Sequence, residues 1–566
     1  MSRFATWIQL ITGSIATVCL ACSAVRQAPV SDEFGHFYAG LRYWQASDLT
    51  TFNVNPPLVR GAVTLPGYLA GMRADPPTGV SSDSRPEFVL GRRLFIFNPD
   101  RFQFYLMIGR CFVGVLTLFG AALLYYWGKS LAGPVAGTVA SCLWMTQPQI
   151  LSHGVLITGD VVCAVCMSAA VCLLAWMFKD LTVVRAATFA SVLAIAILAK
   201  FTALVLLPVY IVALAWHADR YSLRRLAGSL VIVGVILLPI LAAPYRFEGC
   251  GKGLFDYRFL SQRFNELQQQ AQNLSRRLPA IPAYCWATPL PEQFVLGMDR
   301  QQLDFERGLP SYAAGYRASH GWWWFYLYSM LVKLPLGTWL AICAAAALLL
   351  RGGKGIRQDL GLPLLTLTAM VVTTCLQSGF AQQHRYILPA YPFLFLVVGV
   401  VASRARLDGV RSLRLVSVKR LSDAVYLGVL LTLTGSLTVA PHWLSAFNWL
   451  AGGNRSGFTC LFNDASDWGQ DTYRVRDWIN LHQGAVPIYV RSTLSGHSEL
   501  EAVGAREFVP LAETVANLPR PCWLLVSKTD YVVNPTLRQQ LNPLPLTEAV
   551  AGTHLAYYLD SGTGLD

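Results

Sequence analysis

A chain of 566 residues that is 54% hydrophobic, only 14% charged and of mean hydropathy +0.43 carries too much apolar surface for one soluble globule. Its net charge of +13 would suit a nucleic-acid partner in a soluble protein, but the basic residues cluster in short loops between apolar runs, a pattern that membrane topology explains. The CxxC pairs Cys19/Cys22 and Cys163/Cys166 lie inside apolar runs with no Cys or His at zinc-site spacing, so they read as small buried hydrophobes.

The first run, 4–25, is uncharged and long enough to cross a hydrocarbon core of about 30 Å. A cleaved signal ending near Ala21-Cys22-Ser23-Ala24 is the alternative reading. Residues 30–103 are polar but rich in aromatics; short amphipathic helices are expected at 34–45 and 56–70, too short to span and therefore placed on the membrane surface. Apolar spans follow at 105–127, 132–148, 154–177, 184–199, 201–216 and 226–244. After a polar loop at 245–320 come spans at 322–350, 360–378, 386–402 and 422–440, which with the first makes eleven crossings.

With the N-terminus inside, every short cytoplasmic connection is basic: Lys129; Lys179 and Arg185; Arg220, Arg224 and Arg225; Arg351, Lys354 and Arg357; then Arg404, Arg406, Arg411, Arg414, Lys419 and Arg420. The loops 26–104 and 245–320 and everything after Pro441 then face outward. The expected organisation is a transmembrane catalytic domain over 1–440 and a small extracytoplasmic domain over 441–566. In the latter, a helix at 472–481 and strands at 486–490, 522–527 and 554–559 predict an α/β unit. Outward cysteines permit the pairs Cys250 with Cys285 and Cys460 with Cys522 in an oxidising compartment.

Two adjacent acids and an imidazole stand just beyond the first span, in Ser31-Asp32-Glu33-Phe34-Gly35-His36. Asp32 suits a helix N-cap, and equally a general base, since His36 lies four residues on and three from Glu33 on one helical surface. Arg60, after the turn Asn55-Pro56-Pro57-Leu58, can grip a phosphate. His153 and Asp160 stand at the outer start of a span. Lys200 and Arg385 stand at span ends, while Lys333 falls eleven residues past Trp322, about 16 Å along a straight helix, where it should face a cavity or an anion. Acids with outward cations suit deprotonation of a hydroxyl beside a lipid-linked phosphate.

Asp32-Glu33-x-x-His36, Asn55-Pro56-Pro57-Leu58, His153 with Asp160, Lys333-Leu334-Pro335 and Arg385-Tyr386-Ile387-Leu388-Pro389-Ala390-Tyr391-Pro392 together resemble glycosyltransferase family 39 over roughly residues 30–400. His442 to Gly453 and Asp467-Trp468-Gly469-Gln470-Asp471 resemble a bacterial branch with an outer C-terminal domain, although Phe462-Asn463-Asp464-Ala465-Ser466 departs from the Asp-Ser-Asn run expected there.

The resemblance implies the GT-C membrane fold: an α-helical polytopic protein of about 11 transmembrane helices, with surface helices in the first outer loop and a C-terminal soluble α/β domain. It implies inverting sugar transfer from a polyprenyl-phosphate donor to a lipid, glycan or protein acceptor, outside a bacterial plasma membrane. Asp32 is then the base supported by Glu33, and Arg60, Lys200, Lys333 and Arg385 are the pool for the donor phosphate. Some relatives bind a divalent metal, for which Glu33 and His36 are the candidates. The rival reading is a membrane transporter or lipid flippase using the same charges, which predicts paired discontinuous helices.

Overall fold

The computed structural model describes residues 2–77, 85–279, 282–351, 359–377, 379, 381–407, 418–462, 465–511 and 514–560. The basic residues Lys354, Arg357, Arg411 and Arg414, and Asn463-Asp464, lie outside the described residues.

All eleven apolar runs form helices. Among the described residues, six helices are long and apolar enough to cross a membrane singly: Ala5–Arg26, Pro99–Ala132, Asp160–Met177, Leu223–Tyr245, His384–Ala405 and Val418–Thr438. Val183–Ala199, Phe201–Trp216 and Gly361–Leu376 are shorter apolar helices, and Pro134–Thr146 packs along Pro99–Ala132. Large apolar side chains stand exposed along these helices, among them Leu10, Val18, Val115, Val231, Val235 and Leu430. An apolar surface of this extent is stable against lipid rather than water, and the chain is an integral membrane protein.

The span expected at 322–350 is two helices, Phe325–Lys333 and Leu336–Arg351, meeting at 116°. Leu334 is extended (φ −72°, ψ 133°) ahead of Pro335, whose ring excludes the helical conformation at the residue before it. Lys333 therefore ends a short helix instead of lying deep along a long one.

The first outer loop also differs from its expected form. The helix Ser31–Ala46 is not a surface helix: every residue from Glu33 to Leu41 is buried, between Pro57–Leu69 on one side and Pro86–Phe97 on the other. An amphipathic surface helix keeps one wet face, but Gly40 and Gly91 let backbones close in on both sides. A Cβ at Gly40 would stand 2.4 Å from the Arg60 carbonyl oxygen, and one at Gly91 2.2 Å from that of Phe34. The helix starts one turn earlier than expected, with Val30 as N-cap, so Asp32 is not the cap. The Glu33 carboxylate reaches back to the Val30 N–H at 3.1 Å instead.

Beyond the last span lies a five-stranded sheet in the order Val509–Pro510, Ile488–Arg491, Cys522–Ser527, His554–Leu559, Glu548–Val550. Its first three strands are parallel and the remaining pairings antiparallel. The helix Thr472–His482 packs Val475 and Ile479 with Ile488, Val490 and Leu525 of the sheet. All 13 cysteines are free in the structure, with Cys250 and Cys285 exposed and Cys522 buried.

Candidate active site

Four breaks in regular structure bring four charges together. Asp32 is in the first turn of Ser31–Ala46, and Asp160 opens Asp160–Met177 after Gly159 (φ +79°). Lys200 is the extended residue between Val183–Ala199 and the turn that begins at Phe201, while Arg385 sits in the helical turn His384–Ala390. Asp160 is well placed at a helix N-terminus, where backbone N–H groups favour negative charge.

The charges form a chain. The Lys200 ammonium pairs with Asp160 Oδ1; Asp160 Oδ2 stands 3.8 Å from Arg385 Nε; Arg385 Nη2 donates to Asp32 Oδ2 at 2.7 Å and also to Gln383 Oε1. Tyr386 offers its ring face to Lys200 Nζ at 4.5 Å, and the Trp468 ring lies 4.2 Å from the Arg385 guanidinium carbon. Exposure separates the acids: the Asp32 side chain is 18% exposed and that of Asp160 1%. Asp32 is thus the carboxylate open to an incoming molecule, and Asp160 is the counter-charge that holds two cations at one place.

Asp32, His36, Lys200 and Arg385 line one end of a cavity of about 830 Å³. The lining continues along Phe201, Leu204, Val205 and Pro208 of the short helix Phe201–Trp216, an apolar face, and along Met370, Thr373 and Thr374 of Gly361–Leu376. Arg85, Arg300, Asp304 and Arg307 form a polar rim, in which Arg85 bonds Asp304 at 2.8 Å. His36 packs its ring edge on Phe52 at 4.7 Å, and burial pushes its imidazole down to about 3, so it is a neutral wall of the cavity at physiological pH.

Other expected site residues lie elsewhere. Glu33 is wholly buried: Arg110 donates to it from Nε at 3.0 Å and from Nη2, and the Ile157 N–H adds a third donor at 3.3 Å. The Glu33 carboxylate is thus turned to Arg110 and the backbone and is not among the residues that line the cavity. His36 alone does not make a metal site, and among the described residues no group of three His, Cys, Asp or Glu could hold one. Arg60 donates Nη1 to the carbonyls of Thr51 and Phe52 at 2.9 and 2.6 Å, tying down the loop before its own helix, and it is 1% exposed. Lys333 donates to the carbonyls of Leu444 and Ala465 at 2.9 and 2.5 Å and lies over the Phe447 ring, so it anchors the segments beyond the last span. His153 is buried, its ring centroid 6.0 Å from that of Trp468.

Gln383, Tyr386 and Trp468 belong to the site and carry no charge that would have marked them. Arg110 did leave a signal, since a lone arginine inside the apolar run 105–127 requires a buried partner.

No family model and no curated protein matches the chain. Among solved structures it is similar to ArnT from Cupriavidus metallidurans bound to undecaprenyl phosphate (TM-score 0.46, 15% identity, 99% of each chain covered). It is also similar to that ArnT in the apo state (TM-score 0.47, 14% identity, 98% of each chain). A further likeness is to the oligosaccharyltransferase AglB from Archaeoglobus fulgidus in complex with an inhibitory peptide and a dolichol-phosphate (TM-score 0.42, 10% identity, 100% of this chain and 75% of that one).

Proposed function

We propose that the protein is an inverting membrane glycosyltransferase that moves a sugar from a polyprenyl-phosphate donor to an acceptor hydroxyl on the non-cytoplasmic side. The observation that carries the reading is the cavity: one end is a carboxylate with two cations, and the face of Phe201–Trp216 leading away from it is apolar. A lipid phosphate needs such a division, because its tail stays in hydrocarbon while its head reacts. The motif resemblance and the basic cytoplasmic loops support the reaction class and the side of the membrane, that of a bacterial plasma membrane.

In this mechanism the donor phosphate lies against Lys200 and Arg385, and its tail follows Leu204, Val205 and Pro208. Arg385, paired with Asp32 in the structure, turns part of its donor fork to the phosphate, leaving the Asp32 carboxylate for the acceptor. Asp32 takes the hydroxyl proton as the oxygen attacks the anomeric carbon, and the two cations stabilise the departing phosphate. Asp160 stays buried between its cations and takes no proton. With one open carboxylate the sugar is displaced once, which inverts the anomeric centre.

The test is to incubate purified protein with a panel of polyprenyl-phosphate sugars and follow release of the free lipid phosphate, with Asp32→Asn alongside. Transfer by the native protein and a loss of about 1,000-fold or more in the variant, at unchanged membrane expression, is the expected result. Near-normal transfer by Asp32→Asn would sink the assignment of the base.

A further inference from the structure

The segment Ser466 to Thr472 is held rigidly and touches the candidate site directly. The Trp468 N–H donates to Gln470 Oε1 at 2.7 Å, Gln470 Nε2 donates to the Ser466 carbonyl at 3.1 Å, and the Gly469 N–H donates to Asp467 Oδ1 at 3.1 Å. Thr472 Oγ1 closes the turn on the Gly469 carbonyl at 2.7 Å. Outside itself, the segment accepts the Ala28 N–H on the Gln470 carbonyl at 2.9 Å and the Ser31 N–H on the Trp468 carbonyl at 3.1 Å. It therefore grips the chain one residue before Asp32. Lys333 holds its near end through the Ala465 carbonyl at 2.5 Å, and Thr472 shares a 2.8 Å hydrogen bond with Ser495.

Trp468 is 1% exposed, and the Arg385 guanidinium carbon stands over its ring, 4.2 Å from the centroid. An indole attracts a cation through its π face, so it holds the guanidinium without taking one of its N–H donors. One of those donors meets Asp32 Oδ2 at 2.7 Å. One loop thus sets both partners of the Asp32–Arg385 pair, the acid through the Ser31 N–H and the cation through the indole.

We propose that Trp468 is a positioning residue for Arg385, so that the phosphate-binding end of the cavity is complete only with the segment Ser466 to Thr472 docked from beyond the last span. The inference deepens the lipid-phosphate reading above and rests on it. Loss of the indole leaves Arg385 its charge but not its orientation, and lipid phosphate then binds more weakly.

The experiment is a double-mutant cycle on the full-length protein in lipid nanodiscs with Trp468→Ala, Arg385→Lys and the pair, read by the Kd for undecaprenyl phosphate and by kcat for transfer. Trp468→Ala is expected to weaken binding about 10- to 30-fold, and Trp468→Phe, which keeps a ring face, less than about threefold. A lysine has no planar face to hold, so adding Trp468→Ala to Arg385→Lys should change Kd by less than about threefold. If Trp468→Ala does not fold, Trp468→Leu serves in its place, since it keeps apolar bulk without a ring; wild-type affinity in that variant overturns the proposal. Additive losses in the cycle, or equal damage from Phe and Ala, overturn it too. Coupling in Kd without transfer from any donor leaves Trp468 as assigned and removes the glycosyl-transfer reading, whereas transfer with an additive cycle removes the Trp468 inference alone. A wild-type protein that neither binds nor transfers removes both.

Discussion

Glu33 and Arg110 form an ion pair from which water is wholly excluded: both side chains have 0% exposure, and the Arg110 Nε–H meets Glu33 Oε1 at 3.0 Å. The remaining Arg110 donors reach the carbonyls of Ala24, Gln27 and Ala28 at 3.1, 2.6 and 2.9 Å, so one guanidinium joins the end of the first helix, the start of the Asp32 helix and the helix Pro99–Ala132. Breaking a buried pair by removing one partner leaves the other charge uncompensated, at about 3–5 kcal/mol. Glu33→Gln is therefore expected to lower thermal stability and yield in detergent sharply, while Glu33→Gln with Arg110→Met recovers much of the loss. A supporting catalytic role would instead reduce turnover at normal stability, so melting temperature and kcat measured on the same preparations separate the two.

Arg60 yields the opposite contrast to a phosphate ligand. Its guanidinium supports Thr51 and Phe52, and Phe52 holds a left-handed backbone (φ +57°) that needs such support. Arg60→Met should destabilise the protein by about 1–3 kcal/mol, the penalty for unsatisfied buried carbonyls. Donor KM should stay within about twofold of wild type. A tenfold rise in KM at unchanged melting temperature would return Arg60 to the donor site.

The apolar runs were legible because a 20-residue hydrophobic segment has few other fates, and each is helical, the run 322–350 as two helices. Sequence spacing also singled out Asp32, Asp160, Lys200 and Arg385, because charges at span ends are conspicuous. It could not say which of them meet. Asp32 and Arg385 are 353 residues apart in the chain, and their contact depends on how the bundle closes. Arg60, Lys333 and Glu33 carry the same sequence signature as those four, yet Arg60 and Lys333 bond backbone carbonyls and Glu33 bonds Arg110, a distinction made by tertiary packing alone. Trp468 has no charge to mark it, and the stretch just before Asp467 departs from the pattern the resemblance leads one to expect.

Lys200 and Asp160 are separable by kinetics. Lys200 Nζ lies at the cavity end, paired with a carboxylate that is itself nearly inaccessible. Lys200→Ala removes one phosphate donor, and a charge-assisted bond of about 1.5–3 kcal/mol translates to a rise in donor KM of about 10- to 100-fold. Lys200→Arg should retain most of the affinity. Asp160→Asn leaves two buried cations without their shared counter-charge, so its main effect is expected on melting temperature. Measuring KM and melting temperature for all three variants tests the division, which fails if Asp160→Asn alters donor KM alone.

Asp467, one residue before the indole that covers Arg385, makes the docked segment sensitive to pH. It is wholly buried; Oδ1 accepts the Gly469 N–H at 3.1 Å, and burial pushes the carboxyl up to about 7. The groups facing it are Asp471 and Asp530, which oppose its ionisation, and Lys528, which favours it. Lys528 is itself pushed down to about 8 by burial, with Asp471 and Asp467 acting in the other direction. Because the folded Asp467 holds its proton up to about pH 7 while the unfolded one releases it near its ordinary value of 3.8, the folded state binds more protons across that interval. Stability from this group is then full at the acid end and is lost as pH rises through about 7, by up to about 1.4 kcal/mol per pH unit. Lys528 acts in the higher window, where stability is regained as pH rises from about 8 towards 10.5. Melting temperature in detergent should therefore fall between about pH 5 and about pH 8, and Asp467→Asn, which keeps an acceptor for the Gly469 N–H, should flatten that fall. An equally steep fall in the variant would mean that other groups set the pH dependence.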